Sequence, residues 1–340
     1  MNRGGGLLRA VVGIAISVAS LWFVLRGVDF ASVVDILRTA MPAWILVMVV
    51  LQSVDVLLRA ARWQRLIAPI KWIRFSSMLA YLLIGYLANN ILPARLGELV
   101  RSHYLGDREG VSRASALGTV VVERVVDTAV AVAIGAVAIL VLHVRGVVAS
   151  AVLVGLAVSG LLVVALVIGI VAHRLPGAER IIAIAERRPR IAEVGRRLHD
   201  GLAVAGRPKT LTAGIGLSVA AWSVSILAVA AAGQALSIQL TIGEAALLTA
   251  GVALATAIPS GPGYLGTFEL AFVTIGTAIG LSRDNALALG LLVHVTILVL
   301  TSAGGAIAFL RLGWTRSVGE VTEVARGLAS EEPPAVGGSS

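Results

Sequence analysis

Six stretches of about 16 to 30 residues in this sequence carry few or no charges, the length that a hydrocarbon core demands of a helix. A soluble helix needs only one apolar stripe, not an apolar surface all round. Hydrophobic residues make up 58% of the 340 and charged residues 14%, against about 25% in soluble proteins. The chain therefore reads as an all-α polytopic membrane protein. Its formal charge of +9 does not imply nucleic acid, because the basic residues fall between apolar segments, where they fix topology and meet anionic headgroups. With no cysteine, disulfides, thiol catalysis and thiolate metal sites are excluded. The five His residues show no HExxH or HxH spacing, so neither a metal nor a cofactor is expected. Arg3 and Arg9 precede the apolar run Ala10–Leu25 as in a signal peptide, but further spans follow, and the segment is read as a retained anchor.

The apolar segments are 7–25, 41–58, 75–92, 115–142, 147–172, 210–232, 242–258, 264–281 and 285–310. Residues 311–340 thin into Glu331, Glu332, Pro333, Pro334 and a Gly/Ser end, which reads as a disordered cytoplasmic tail. Two loops are strongly basic. Residues 59–74 carry Arg59, Arg62, Arg65, Lys71 and Arg74 with no acid, and 173–209 carry eight Arg and one Lys against Glu179, Glu186, Glu193 and Asp200. Both belong in the cytoplasm by the positive-inside rule, yet three apolar segments separate them. One of the three cannot cross. Segment 75–92 ends in Asn89-Asn90-Ile91-Leu92-Pro93-Ala94-Arg95-Leu96-Gly97-Glu98, where Pro93 removes a backbone donor and disfavours helix at Leu92. Broken backbone at membrane depth survives only when buried in protein or lining a water-filled cavity.

The same logic turns 242–281 into a second hairpin, broken at Pro259-Ser260-Gly261-Pro262-Gly263-Tyr264-Leu265-Gly266. The expected fold is six crossings plus two re-entrant hairpins in one domain, residues 1–310, with both termini inside. Span, hairpin and span over 41–142 recur over 210–310 with opposite entry, an inverted repeat of the kind found in secondary transporters. The echo is Pro93…Gly97-Glu98 against Pro259…Gly266…Glu269, each Glu being followed after about 25 residues by a polar residue in the next span, Glu123 and His294.

Three clusters can carry chemistry. In the first, with Asn89, Asn90, Arg95, Glu98 and Arg101, a guanidinium of Arg95 or Arg101 can clamp a phosphate, or Arg95 and Glu98 can pair and satisfy the hairpin. In the second, Glu123 and Asp127 share a helix face with Arg124 about 100° away, as a substrate site, an ion-pair network locking hairpin to span, or both. The third joins Ser260, Gly261, Pro262, Gly263, Tyr264, Gly266, Thr267 and Glu269 with His294, either a titrating His or a helix–helix hydrogen-bond partner. Asp55 and Arg59 are spaced to pair along one helix. Arg59, Arg62, Trp63, Arg65, Lys71, Trp72 and Arg74 read as a basic, aromatic interfacial belt. Residues 177–204 read as an interfacial amphipathic helix interrupted at Pro189.

Together the motifs Asn89-Asn90…Pro93…Arg95…Gly97-Glu98…Arg101, Glu123-Arg124…Asp127 and Pro259…Gly263…Gly266…Glu269 resemble the flippase-like membrane family, the transmembrane region of lysylphosphatidylglycerol synthase. The resemblance implies a lipid translocase fold with two hairpins beside a lipid-accessible cavity. Its polar motif positions fall on Asn89, Arg95, Glu98, Arg101, Glu123, Arg124, Asp127 and Glu269. Full synthases carry a soluble aminoacyl-transfer domain after this region, and the sequence here runs about 30 residues past its last span, so lipid aminoacylation is not expected. The implied function is movement of an anionic phospholipid or a polyprenyl-phosphate-linked glycolipid between leaflets of the plasma (cytoplasmic) membrane. The implied partners are those lipids and envelope glycosyltransferases or lipid synthases. A membrane-embedded transferase with Glu98, Glu123 or Asp127 as base, and a non-catalytic scaffold using 173–209, are the competing readings.

Overall fold

A computed structural model describes residues 4–92, 96–171, 189–256 and 260–313. Pro93, Arg95, Pro259, residues 172–188 of the basic loop and the tail beyond Gly313 lie outside the described residues. Described elements are twelve α-helices and two short 3-10 turns, with no strand among the described residues. In order they are α1 (Gly4–Leu25), α2 (Phe30–Arg38), α3 (Pro42–Ile67), α4 (Phe75–Ile91), α5 (Gly97–Glu109), α6 (Arg113–Leu142), α7 (Val147–Val171), α8 (Pro189–Leu202), α9 (Pro208–Ala235), α10 (Ile242–Ala255), α11 (Thr267–Ala278) and α12 (Arg283–Leu312). The turns are Ala203–Gly206 and Pro262–Tyr264.

Five helices, α3, α6, α7, α9 and α12, are long and apolar enough to cross a membrane. A sixth span is available if α1 and α2, bent by 87° at their junction, count as one. The chain is an all-α, multi-pass integral membrane protein. Its outer surface is apolar where a soluble protein's would be polar: Leu161 on α7 is 70% exposed and Leu310 on α12 is 80% exposed.

Local chemistry sets the helix ends. Pro42 and Pro208 occupy the first helical turns of α3 and α9, where a missing N–H costs nothing. Thr241 and Glu244 form a reciprocal capping box that starts α10. Gly110, at φ +66°, closes α5 in the left-handed region.

Two boundaries differ from the sequence expectation. Asp29 accepts a hydrogen bond from the Ala31 N–H and starts α2, a short helix that the reading of 7–25 as a simple anchor did not contain. The segment expected to end at 58 continues as helix to Ile67, so Arg59, Arg62 and Arg65 are helical rather than in a loop. Arginine is a good helix former, and carboxylates on α3 and α6 neutralise Arg59 and Arg62, so the helix does not stop where the apolar run stops. Arg62 is 1% exposed and Trp63 fully buried, which removes both from the expected interfacial belt.

Both Pro/Gly-broken segments fold back on themselves. In the first, Tyr81 bonds Glu109, Gly85 lies against Arg101, and Asn89 accepts from the Gly97 N–H at 2.8 Å. Those pairings advance on α4 as they retreat on α5, which makes an antiparallel hairpin. A Cβ on Gly97 would lie 2.1 Å from the Gly85 carbonyl oxygen, so only glycine permits this approach. In the second, α10 and α11 pack together, and a Cβ on Gly251 would meet the Ile275 side chain at 2.0 Å.

Helices α3 and α9 form the most extensive helix pair among the described residues and run antiparallel, with Asp55 against Ser225, Arg62 against Ser218 and Leu66 against Gly214. The end of α3 leading to the first hairpin thus lies beside the start of α9. The end of α9 leading to the second lies beside the start of α3, where the Met41 N–H donates to the Ala235 carbonyl at 2.8 Å. The hairpins therefore start from opposite ends of this central pair.

Candidate functional site

One cavity of about 360 Å³ sits where the two breaks meet. Its wall takes Asn89, Asn90 and Glu98 from the first hairpin and Tyr264 and Phe268 from the second, with His294 from α12. Contact between the breaks is close: a Cβ on Gly263 would lie 3.7 Å from the Asn90 carbonyl oxygen. Gln52, Asp55, Val56 and Arg59 recur every three to four residues on one face of α3 and line the opposite wall, joined by Arg124 and Thr128 of α6 and Trp222 and Ser225 of α9.

Beneath this wall lies a charge network joining α3, α5, α6 and α9. Glu123, 1% exposed, accepts from Arg101 at 3.1 and 3.2 Å and from Arg62 at 3.0 Å. Asp127 accepts from Arg59 at 3.2 Å, from both terminal nitrogens of Arg62, and from the Trp222 indole N–H at 3.0 Å. Arg59 also bonds Asp55 at 2.8 Å, and Ser225 donates to the same carboxylate at 3.0 Å. Arg101 stacks over the Trp63 ring at 4.6 Å and Arg59 over Trp222 at 5.0 Å. Four arginines (Arg59, Arg62, Arg101, Arg124) thus meet four carboxylates (Asp55, Glu98, Glu123, Asp127). Charges buried this deeply persist because each finds a partner of opposite sign with hydrogen bonds to match.

Arg124 is the exception in quality. Its side chain is 45% exposed, and its nearest carboxylates are Glu98 at 3.4 Å and Glu123 at 3.8 Å. It faces the cavity with donors to spare.

The second break is held by different chemistry. Gly266, at φ +86°, starts α11 and donates its N–H to Glu269 Oε2 at 2.7 Å. Glu269 Oε1 meets His294 Nδ1 at 2.5 Å, and His294 Nε2 meets the Gly263 carbonyl oxygen at 2.7 Å. The imidazole lies flat on Phe268, centroids 4.1 Å apart. Ser17 of α1 accepts from the Gly261 N–H at 2.8 Å, and its carbonyl sits where a Cβ of Gly266 would clash at 2.4 Å.

The structure therefore divides the residues singled out from the sequence. Asn89, Asn90, Glu98, Arg124 and His294 line the cavity. Asn89 caps α5, while Asn90 donates to Thr301 at 3.0 Å and Ser302 at 2.9 Å. Arg101, Glu123 and Asp127 are buried in the network behind the wall, and Glu269 supports His294. Ser260 is buried away from the cavity with its hydroxyl unpartnered. The two halves of the expected echo differ in their contacts: Glu269 meets His294, whereas Glu98 pairs with Arg124 and Glu123 is held by Arg101 and Arg62. Sequence reasoning placed Arg62 in the interfacial belt and missed Gln52, Trp222 and Ser225. Their signal was spacing: 52, 55, 59 and 62 on α3, and 218, 222 and 225 on α9, repeat at helical period with polar or aromatic residues inside apolar helices.

Comparison with known proteins agrees with the motifs. A protein called UPF0104 membrane protein MJ1595, from Methanocaldococcus jannaschii, is 27% identical over 127 residues, covering 36% of this chain and 38% of its own length. Glycosyltransferase AglD from Haloferax volcanii is 26% identical over 352 aligned residues, covering 92% of this chain and 56% of its own length. This chain thus spans well under two thirds of either relative. No solved structure matches it. The profile described as "Lysylphosphatidylglycerol synthase TM region" matches residues 10–305, and the chain belongs to that family.

Proposed function

We propose that the protein is a lipid translocase of the flippase-like kind, passing an anionic lipid headgroup through the cavity while the acyl chains stay in the bilayer. The observation that carries this reading is a single cavity walled by both broken hairpins, with the under-paired guanidinium of Arg124 on its surface. A guanidinium with free donors suits phosphate, and a half-apolar wall suits the first carbons of a lipid. The antiparallel α3/α9 register supports hairpins that enter from opposite faces of the membrane, as an inverted repeat requires. Arg101 is committed to Glu123, so among the described residues Arg124 is the guanidinium best placed to clamp a phosphate, and Arg95 lies outside them. The family is named for a lysylphosphatidylglycerol synthase and one relative is named a glycosyltransferase, which supports an anionic phospholipid or lipid-linked glycan as cargo; the cytoplasmic membrane as its place and envelope glycosyltransferases or lipid synthases as partners belong to the same proposal.

The test is reconstitution in vesicles with acyl-labelled fluorescent phosphatidylglycerol and an impermeant quencher. Protein-dependent exposure of inner-leaflet probe, lost in Arg124→Gln, is the expected result. No protein-dependent redistribution across a panel of anionic lipids and glycolipids would sink the reading. The name of the second relative keeps a transferase in view. Asp55, Glu123 and Asp127 are held by arginines at closer range, and Glu98, 22% exposed and 3.4 Å from Arg124, is the more accessible cavity carboxylate for a base. In that case Glu98→Gln abolishes product formation from a labelled lipid-linked sugar while lipid binding survives.

A further inference from the structure

The geometry points to Glu269 and His294 as a proton-binding site that couples proton movement to the motion of the second hairpin. Hydrogen-bond roles leave little freedom. The Gly263 carbonyl can only accept, so His294 Nε2 must carry a hydrogen. Glu269 Oε2 already accepts from the Gly266 N–H. The 2.5 Å contact between Glu269 Oε1 and His294 Nδ1 therefore needs one proton between two lone pairs. That proton sits on Oε1 or on Nδ1, and in either case the pair has no net charge. Its loss leaves a carboxylate facing a bare imidazole nitrogen, repulsive at a separation that has no room for a water between them.

The residues it holds are those of the break. Gly263 and Gly266 are the two positive-φ glycines that let the chain turn, at φ +63° and +86°. His294 Nε2–H ties Gly263 to α12 directly, and Glu269 with the shared proton ties Gly266 to it. Deprotonation releases the proton to the cavity that His294 lines and frees the start of α11, at Gly266 and Glu269, from α12, while the His294–Gly263 bond keeps its own hydrogen. Proton binding thus favours the closed break and proton loss the open one, so low pH closes and high pH opens. A bistable element biased by one ligand is what ion coupling requires.

Few other ionisable groups face the pair. Among the described residues α1 from Gly13 to Leu25 and α7 carry none, and α10 carries only Glu244, engaged in its own capping box. On the helices packed against α12, α9 carries only Lys209 at its first turn, α2 has Asp35 and Arg38 exposed at the far end of the bundle, and α4 has Tyr81 and Tyr86. On α12 itself Arg283, Asp284 and Arg311 lie at the two ends. Across the cavity stand Asp55, Arg59, Glu98 and Arg124, whose charges cancel in pairs. The proton therefore has one buried acceptor site on this side of the cavity.

The inference rests on the translocase reading for what is moved, but not for the proton site itself. Glu269→Gln is isosteric, keeps the Gly266 bond, and donates an N–H that cannot leave, so it mimics the locked pair. His294→Gln removes the acceptor and serves as the second variant. Amide hydrogen exchange of residues 260–270 in nanodiscs, corrected for the intrinsic pH effect, is compared at about pH 5 and about pH 8. Wild type is expected to exchange about tenfold faster at the higher pH, with Glu269→Gln slow at both. In parallel, vesicles carrying labelled phosphatidylglycerol are given an imposed proton gradient, which is expected to drive net probe accumulation in wild type and not in either variant. Exchange in wild type that ignores pH overturns the proton site. Probe movement indifferent to the gradient overturns the coupling. If no probe moves at all, the translocase reading fails, and the exchange data alone decide whether the site binds a proton.

Discussion

Glu123→Gln removes one negative charge from the centre of a network that is balanced four against four. Arg62 keeps Asp127, with which it makes two contacts, and Arg124 keeps Glu98 at 3.4 Å. Arg101 keeps no carboxylate. It is 2% exposed, its remaining neighbour of note is the Trp63 ring at 4.6 Å, and a cation–π contact offers about 0.5–2 kcal/mol. Removing one partner of a buried pair and leaving the other charged costs about 3–5 kcal/mol. The Trp63 contact is the same in wild type and variant; the hydrogen bond that the new amide oxygen still accepts from Arg101 offsets about 1 kcal/mol, leaving an expected loss of about 2–4 kcal/mol. Arg101→Met in the same chain discharges the orphan, so the double variant is expected to be more stable than Glu123→Gln alone, with a coupling energy of about 1–3 kcal/mol. The assay is reversible unfolding in mixed micelles, followed by tryptophan fluorescence, for wild type, both singles and the double. A loss below about 1 kcal/mol in Glu123→Gln, the behaviour of a solvent-exposed pair, would refute the reasoning, as would additivity of the two single changes.

Arg124→Gln is expected to leave unfolding stability within about 1 kcal/mol of wild type, since its pairs are long and half-exposed, while lipid affinity falls by about 1.5–3 kcal/mol; titration of the same micelles with phosphatidylglycerol against a zwitterionic lipid separates the two. Gly97→Ala places a Cβ inside contact distance of Gly85 and Asn89 and should destabilise by about 1–3 kcal/mol or push the hairpin apart, read by unfolding and by a thiol cross-link between α4 and α5. Because the chain has no cysteine, single substitutions Arg74→Cys and Lys209→Cys should react with an impermeant thiol reagent from one side of sealed vesicles, and Arg145→Cys and Gln239→Cys from the other. A mixed pattern within either pair would undo the antiparallel arrangement of the hairpins.

The membrane class and both breaks were legible because they depend on short-range physics. Apolar length is counted along the chain, and Pro93 or the Gly261-Pro262-Gly263 run disrupts a helix whatever surrounds it. The Asp55–Arg59 pair was legible for the same reason, being one helical turn apart. Arg62 was not. Its partner Asp127 lies 65 residues away, and only tertiary packing decides whether an arginine just past an apolar run snorkels to the surface or turns inward. The length of α3 failed on the same point, because its last two turns owe their place in the bundle to α6 and α9. α2 was within reach, since Asp29 followed by Phe30, Val33, Val34 and Leu37 is a cap before an amphipathic run, but its shortness hid it beside a longer apolar segment. The direct touch of Glu269 and His294 could be suspected from their spacing and only the fold could deliver it.

Photocross-linking with a phosphatidylglycerol analogue that carries its reactive group on the headgroup tests most directly whether lipid headgroups enter between the two breaks. The account predicts adducts on cavity residues such as Tyr86, Trp222 and Tyr264, competed by unlabelled anionic lipid and reduced in Arg124→Gln. Adducts confined to the outer apolar faces of α7 and α12, unchanged by Arg124→Gln, would contradict it.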